Sequence, residues 1–597
     1  MVDLGIERIA TLRAATGLVL ALLLVGCGES GDQDAADSAV VAGAHGAASV
    51  NTSEDPDAGI FQSAAGYYLA AKQAENDGDR ATAAKYMSEA LKRDPNNVDF
   101  LRETFQLVLG EGQFEEADRL AHRLVVALPD NQLANVMLAL EDAKAGQFAA
   151  AEMRMSQMPR VGLGSVTAPL LLAWALEGEG NTDAALKALD QLSSVRGFGV
   201  LSDFHAGFIN DVAGRTAAAE AAYKKAIESE SNPSFRVVDA FANFYARQGR
   251  FEEAEALFRR YSAGAPDTVR IELTLKALQS GEKPKPEVAD AKRGMGEAMF
   301  DLGSALRQDA SARLALQYIR LSVFMAPDFT VAKLTLADTL AADDRNDEAL
   351  ALYREIQPED PLYFSAQLRI ADVLRQMDKL DDAVAELEAI GKKWPDRAEP
   401  YATEGDFLRS AERFSDAVTA YDMAIARLGT PNASDWSLYY ARGIALERSG
   451  QWPRAEADFL KSLELSPDQP SVLNYLGYSW VDRGENLDRA KGMIEHAVQL
   501  RPDDGYIVDS LGWVLYREGD YQRAVTHLER AVELRPEDPV INDHLGDAYW
   551  RVGRYNEAQF QWRRALSLKP EPDLVGQIGA KLDHGLNDAG KPGEHNS

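Results

Sequence analysis

Along most of the chain, apolar residues return at intervals of three and four, the spacing of one helix face, and the runs come in pairs. In one such pair the first run is Ile507, Leu511, Val514 and Leu515, and the second is Ala524, Val525, Leu528, Ala531 and Val532. Each run predicts an amphipathic helix. Gly519, between them, can take the left-handed conformation that ends the first helix and turns the chain back. Pro536 lacks the amide hydrogen a continuing helix needs, and Glu537 and Asp538 favour the start of the next one. Gly512 and Ala524 are small enough for the two helices to approach closely, with Leu528 filling the space beside them. The predicted unit is a helical hairpin with one apolar face left over on each side.

The hairpin recurs. One alanine marks it at positions 83, 117, 151, 185, 219, 254, 315, 349, 383, 417, 455, 490, 524 and 558, most steps being 34 or 35 residues. Four residues later comes a larger side chain in most copies, among them Met87, Tyr223, Tyr421, Phe459 and Trp562, and a proline often follows twelve residues after the alanine. This pattern resembles the tetratricopeptide repeat (TPR). The resemblance runs from about residue 60 to 570 and implies an all-α fold, a solenoid of stacked helical hairpins.

Two features interrupt it. Ala310, Asp344, Asp378 and Glu412 stand where other copies have the turn glycine, so these turns are expected to be looser or differently shaped. The step from Ala254 to Ala315 is 61 residues, and it holds a helix-like stretch, DTVRIELTLKAL, followed by Gly281, Pro284 and Pro286. A linker at 281–292 is therefore expected to divide an N-terminal array, 60–280, from a C-terminal array, 293–570. Residues 571–588 have the pattern of a capping helix over the last apolar face, and 589–597 read as a disordered tail.

The start of the chain differs in kind. Ala14 to Val25 form a short apolar run, too short to span a bilayer in the ordinary way but suited to a signal-peptide core. Leu24, Val25 and Gly26 then lead to Cys27, the only cysteine, and this sequence resembles the lipobox of bacterial lipoproteins. The resemblance implies a signal peptide over 1–26, cleavage before Cys27, and lipidation of its sulfur and new amine. The alternative is a plain leader with an incidental cysteine. Arg8 and Arg13 are balanced by Asp3 and Glu7, so the region before the core is neutral where such leaders are basic, a departure that bears on the start codon rather than on the cleavage site. Gly28 replaces the aspartate that would signal inner-membrane retention, so the resemblance points to the periplasmic face of the outer membrane. From Cys27 to residue 59 the chain is mostly Ala, Gly, Ser and acid, without Lys or Arg, an expected flexible tether with a reach of roughly 30 Å.

Charge narrows the partners. The formal net charge is -31, which opposes binding to nucleic acid. No catalytic constellation stands out: the histidines are scattered, no HExxH pair occurs, and Gly585 to Lys591 fits a phosphate loop only until Pro592. No enzyme activity, metal or cofactor is expected. In TPR arrays the first helix of each hairpin lines the concave groove, and the matching positions here are Asn474, Tyr478, Asp509, Trp513, Tyr516, Arg517, Asp543, Asp547, Trp550 and Arg551. Aromatics flanked by charge suit a binding hot spot for a protein with basic and apolar groups. Packing of Trp513 and Trp550 against neighbouring hairpins is the other reading. The C-terminal repeats also resemble proteobacterial TPR lipoproteins. That resemblance implies a scaffold or adaptor, for instance for a periplasmic carboxy-terminal processing protease, or alternatively a structural component of a polysaccharide exporter or secretin assembly.

Overall fold

The computed structural model describes residues 63–586, apart from 194, 230–232, 262–267, 282 and 309–311. The expected leader, Cys27, the expected tether and the expected tail lie outside the described residues. The described chain is all-α, with helices in consecutive antiparallel pairs and no strand among them. Each of the alanines that mark the period is wholly buried, as are Met87, Phe459, Leu528 and Trp562. The reason is contact distance. A Cβ on Gly546 would stand 2.5 Å from the Trp562 ring, and one on Gly512 would stand 2.6 Å from Leu528. Only a bare backbone on the first helix lets the large side chain of the second lie flat against it.

Helix ends follow the local chemistry. Gly519 closes its helix with φ 85°, and Asp538 accepts the amide hydrogens of Val540 and Ile541 at 2.9 and 3.0 Å, starting the next helix. The turns at Asp344, Asp378 and Glu412 depart from expectation. Their φ values are 57°, 57° and 58°, the same left-handed region as the turn glycines. The turn shape is kept because the two helices it joins must pack, and the side chain absorbs the strain. Ala310 lies outside the described residues.

The expected division at 281–292 is corrected. The chain separates into an N-terminal unit ending at Lys379 and a C-terminal unit beginning at Leu380. The helices that follow the proline-rich stretch, Ala291–Gln308 and Ala312–Met325, belong to the N-terminal unit and fold back onto it. This inner hairpin packs on the first helices of earlier pairs, Val98–Gly110, Gln132–Lys144, Gly164–Gly178 and Gly199–Val212. Gly281, Pro284 and Pro286 do break the regular stack, but they redirect the chain into the groove instead of ending a domain.

Polar groups seat the inner hairpin. Arg236, on Phe235–Arg247, donates to both oxygens of Glu297 at 2.7 Å and to Glu287 at 2.8 Å. Glu297 is fully buried. Trp174 Nε1 donates to His205 Nδ1 at 3.0 Å, which requires the His205 proton on Nε2, where it meets Asp301 at 3.0 Å. A Cβ on Gly294 would collide with the Trp174 ring. Further on, Arg345 forks onto Glu111 with both contacts at 2.8 Å, tying the later helices of this unit to its early ones.

Two outcomes are expected. Arg236→Met leaves buried Glu297 with Arg293 alone, at 3.2 Å, and half-buried Glu287 without its hydrogen-bonded cation, and lowers the stability of the N-terminal unit in urea titration by about 3 kcal/mol. Glu412→Gly relieves the left-handed strain and raises the unfolding free energy of the C-terminal unit by roughly 1 kcal/mol, read in the same titration.

Candidate interaction face

The residues singled out as a groove all lie in the C-terminal unit, on three successive first helices, Pro470–Arg483, Gly505–Glu518 and Pro539–Arg551. Neighbouring members of this row touch one another. One repeat step therefore stacks equivalent side chains from adjacent helices, so the sequence period becomes a spatial row.

Trp513 is half-buried at the centre of the row. Its ring stacks on Tyr516 with centroids 4.8 Å apart and on His544 at 4.0 Å. His544 Nδ1 lies 3.0 and 3.1 Å from the two oxygens of Asp509. Burial, the largest influence on His544, pulls its pKa down, but Asp509, with Asp543 and Asp547 near it, outweighs burial and leaves the pKa raised. Arg551 Nε donates to the Tyr516 hydroxyl at 3.3 Å, and Arg517 lies 4.0 Å from Asp482. Asn474 and Tyr478 occupy the preceding helix, and burial first, then Asp509 and Asp482, hold the Tyr478 hydroxyl protonated.

The outer end of the row is differently built. Trp550 stacks near Trp562 at 5.4 Å and meets Tyr555 edge-on at 4.6 Å, while Gly585 lies so close that a Cβ there would strike the Trp550 ring. Trp550 is half-buried like Trp513, but its neighbours come from the last hairpin and the end of the terminal helix. Asp543 and Asp547 are buried and share the ammonium of Lys581, at 2.7 and 2.9 Å, from the terminal helix Pro572–His584. Burial, opposed by Lys581 and reinforced by Asp543, raises Asp547 to about 6.

The models described as "Tetratricopeptide repeat" match residues 334–398, 402–470, 440–490 and 541–572, and a "TPR repeat" model matches 512–553. The matched segments are tetratricopeptide repeats. A TPR repeat-containing protein of Pseudomonas aeruginosa is 36% identical over 85 residues, 14% of this chain and 14% of that protein. The match therefore spans a small part of either chain. Among solved structures, the Cut9-Hcn1 hetero-tetramer covers 82% of this chain and 97% of its own at 15% identity, with a TM-score of 0.35. Yeast Tom70 covers 87% of this chain and 95% of its own at 14% identity, with a TM-score of 0.32. TPR arrays are protein-interaction scaffolds rather than catalytic folds. Among the described residues no group of His, Cys, Asp or Glu is arranged to hold a metal.

Sequence reasoning did not single out two residues at this face, nor a third, Glu404, on an earlier first helix of the same unit. His544 sits 35 residues after Asp509 and Lys581 34 after Asp547, so the repeat step itself was the signal that would have paired them. Glu404, on Glu399–Ser410, carried no such signal. It is 6% exposed, one of its oxygens is buried without a partner, and burial first, then Glu388, lift its carboxyl to about 7.

A carboxyl raised by folding binds its proton more tightly in the native state, so stability falls as pH rises from its ordinary value to the raised one. Glu404 places that loss between about 4.5 and about 7. The His544 pairing, whose folded pKa is also raised, stabilises fully below about 6.5 and is lost as pH climbs through the folded value. The C-terminal unit is accordingly less stable at pH 8 than at pH 5. Glu404→Gln removes on the order of 3 kcal/mol of that difference, as read by urea titrations at the two pH values.

Proposed function

We propose that the protein is a lipid-anchored scaffold or adaptor of the bacterial cell envelope, holding a protein partner against the first-helix row of its C-terminal unit. The observation that carries the reading is the contrast between the two rows. In the N-terminal unit the first helices are covered by the chain's own inner hairpin. In the C-terminal unit the corresponding row presents Trp513, Tyr516 and Tyr478, all half-buried, beside the carboxylate of Asp509. An aromatic centre with acid around it suits a partner offering apolar and basic groups, and contacts spread over successive repeats add up.

The anchor rests on Leu24, Val25, Gly26 and Cys27, and the outer-membrane address on Gly28. Two or three acyl chains hold a protein to a bilayer almost permanently, because each buried methylene contributes about 0.8 kcal/mol. A tethered body of this kind raises the concentration of whatever it binds near the membrane. A periplasmic processing protease or its substrates are the partners this reading favours.

The test is affinity purification of the lipidated protein from envelope extracts, comparing wild type with Trp513→Ala and with Phe560→Ala, whose ring is 65% exposed on a second helix. Recovery of a processing protease or its substrates that falls at least about tenfold in Trp513→Ala but not in Phe560→Ala is the expected result. A secretin or exporter recovered equally by all three would make the protein an assembly component instead. Cys27→Ser is expected to release the protein from the membrane fraction.

A further inference from the structure

The terminal helix Pro572–His584 is lightly held. Ile578 is its one buried side chain, Val575 is 44% exposed, and it packs chiefly on Tyr555–Ser567. Its strongest polar hold is Lys581, seated between Asp543 and Asp547. An apolar cap has no need of this arrangement, since taking an ammonium and two carboxylates from water offsets much of what their attraction supplies.

The acids also offer more than the lysine uses. Asp547 Oδ1 accepts from Trp562 Nε1 at 2.9 Å, and its Oδ2 and Asp543 Oδ2 accept from Lys581. Asp543 Oδ1 is buried with no partner, although Asp543 is only 4% exposed. An unpaired buried acceptor is costly, and a point-like ammonium does not reach it. A guanidinium, planar with five N–H groups, can serve both Asp543 oxygens and Asp547 together.

We propose that Asp543 and Asp547, with the flanking Trp550, form a recognition site for an arginine-bearing helical segment of a partner protein, and that the terminal helix is its resident, displaceable occupant. This rests on the reading of the C-terminal row as the binding face. Displacement of the helix exposes Trp550, now shielded at Gly585, and extends the aromatic surface begun by Trp513. The terminal helix thereby sets a threshold, since a partner must out-compete a lysine already in place, and a lone basic side chain without an apolar face does not.

The test uses the full chain and a labelled synthetic peptide of residues 570–586 carrying Lys581→Arg, with a Lys581→Gln peptide as control. As the arginine peptide saturates the wild-type chain, amide hydrogens of 572–584 in the protein are expected to exchange faster, while those of the preceding repeats do not. Against a full-length Lys581→Gln variant the arginine peptide is expected to bind at least about tenfold tighter than against wild type, and the glutamine peptide to show no such gain. Asp543→Asn in that variant removes the gain. Unchanged exchange of 572–584 in wild type, or equal binding of the two peptides, overturns the proposal and leaves the helix as an apolar cap. Because no cellular partner is involved, peptide exchange without a co-purified partner faults the adaptor reading alone, and a captured partner with no peptide exchange faults this one alone.

Discussion

The contact between a small residue on one helix and a large one on its pair is the constraint on which the rest of the structure depends. Ala524 and Gly512 bring two backbones together, Leu528 closes the space, and the hairpin so formed still has an apolar face on either side. A single hairpin cannot bury that surface; a stack can, and each added copy both covers its neighbour and needs covering. The turn geometry is subordinate to this packing. Asp378 and Glu412 adopt a conformation that side chains disfavour because the helices they join leave no other path.

A stack that buries its apolar faces between repeats is left with the inner row of first helices as a second, exposed surface. The N-terminal unit covers that row with its own chain. The interface is selective rather than merely greasy: Arg236 between Glu287 and Glu297, and a Trp174 to His205 to Asp301 relay, each demand one register of the inner hairpin. Slippage by a turn strands buried charge, and the cost of an unpaired buried ion fixes the register more firmly than apolar contact alone.

In the C-terminal unit, burial and charge act against each other at the row itself. Asp509, Asp543 and Asp547 are all nearly inaccessible, and each is matched to a nitrogen group supplied one repeat later, the His544 imidazole for the first and the Lys581 ammonium for the other two. The repeat thereby turns sequence distance into polar pairing across adjacent helices. Trp513, stacked on both His544 and Tyr516, is oriented by the same pairing, so the open aromatic surface and the buried electrostatics form one assembly.

The fold class and most of the groove helices were legible in the sequence, because helical periodicity, turn glycines and the 34-residue step are local properties that every copy repeats. The all-α hairpin stack, the core alanines and the row carrying Asp509, Trp513 and Asp547 follow from them alone. What only the tertiary structure decided is where the pattern is broken or turned on itself. Gly281, Pro284 and Pro286 announce an interruption, but nothing local says whether the chain then starts a new domain or re-enters the old one. Partners distant in sequence answer that: Asp301 of the inner hairpin meets His205, and Arg345, after the hairpin, meets Glu111. Likewise Tyr516 and Trp550, 34 residues apart, occupy equivalent places in the repeat. Their neighbours differ because of what comes next in space, for Tyr516 meets Arg551 of the following repeat and Trp550 meets Gly585 at the end of the terminal helix.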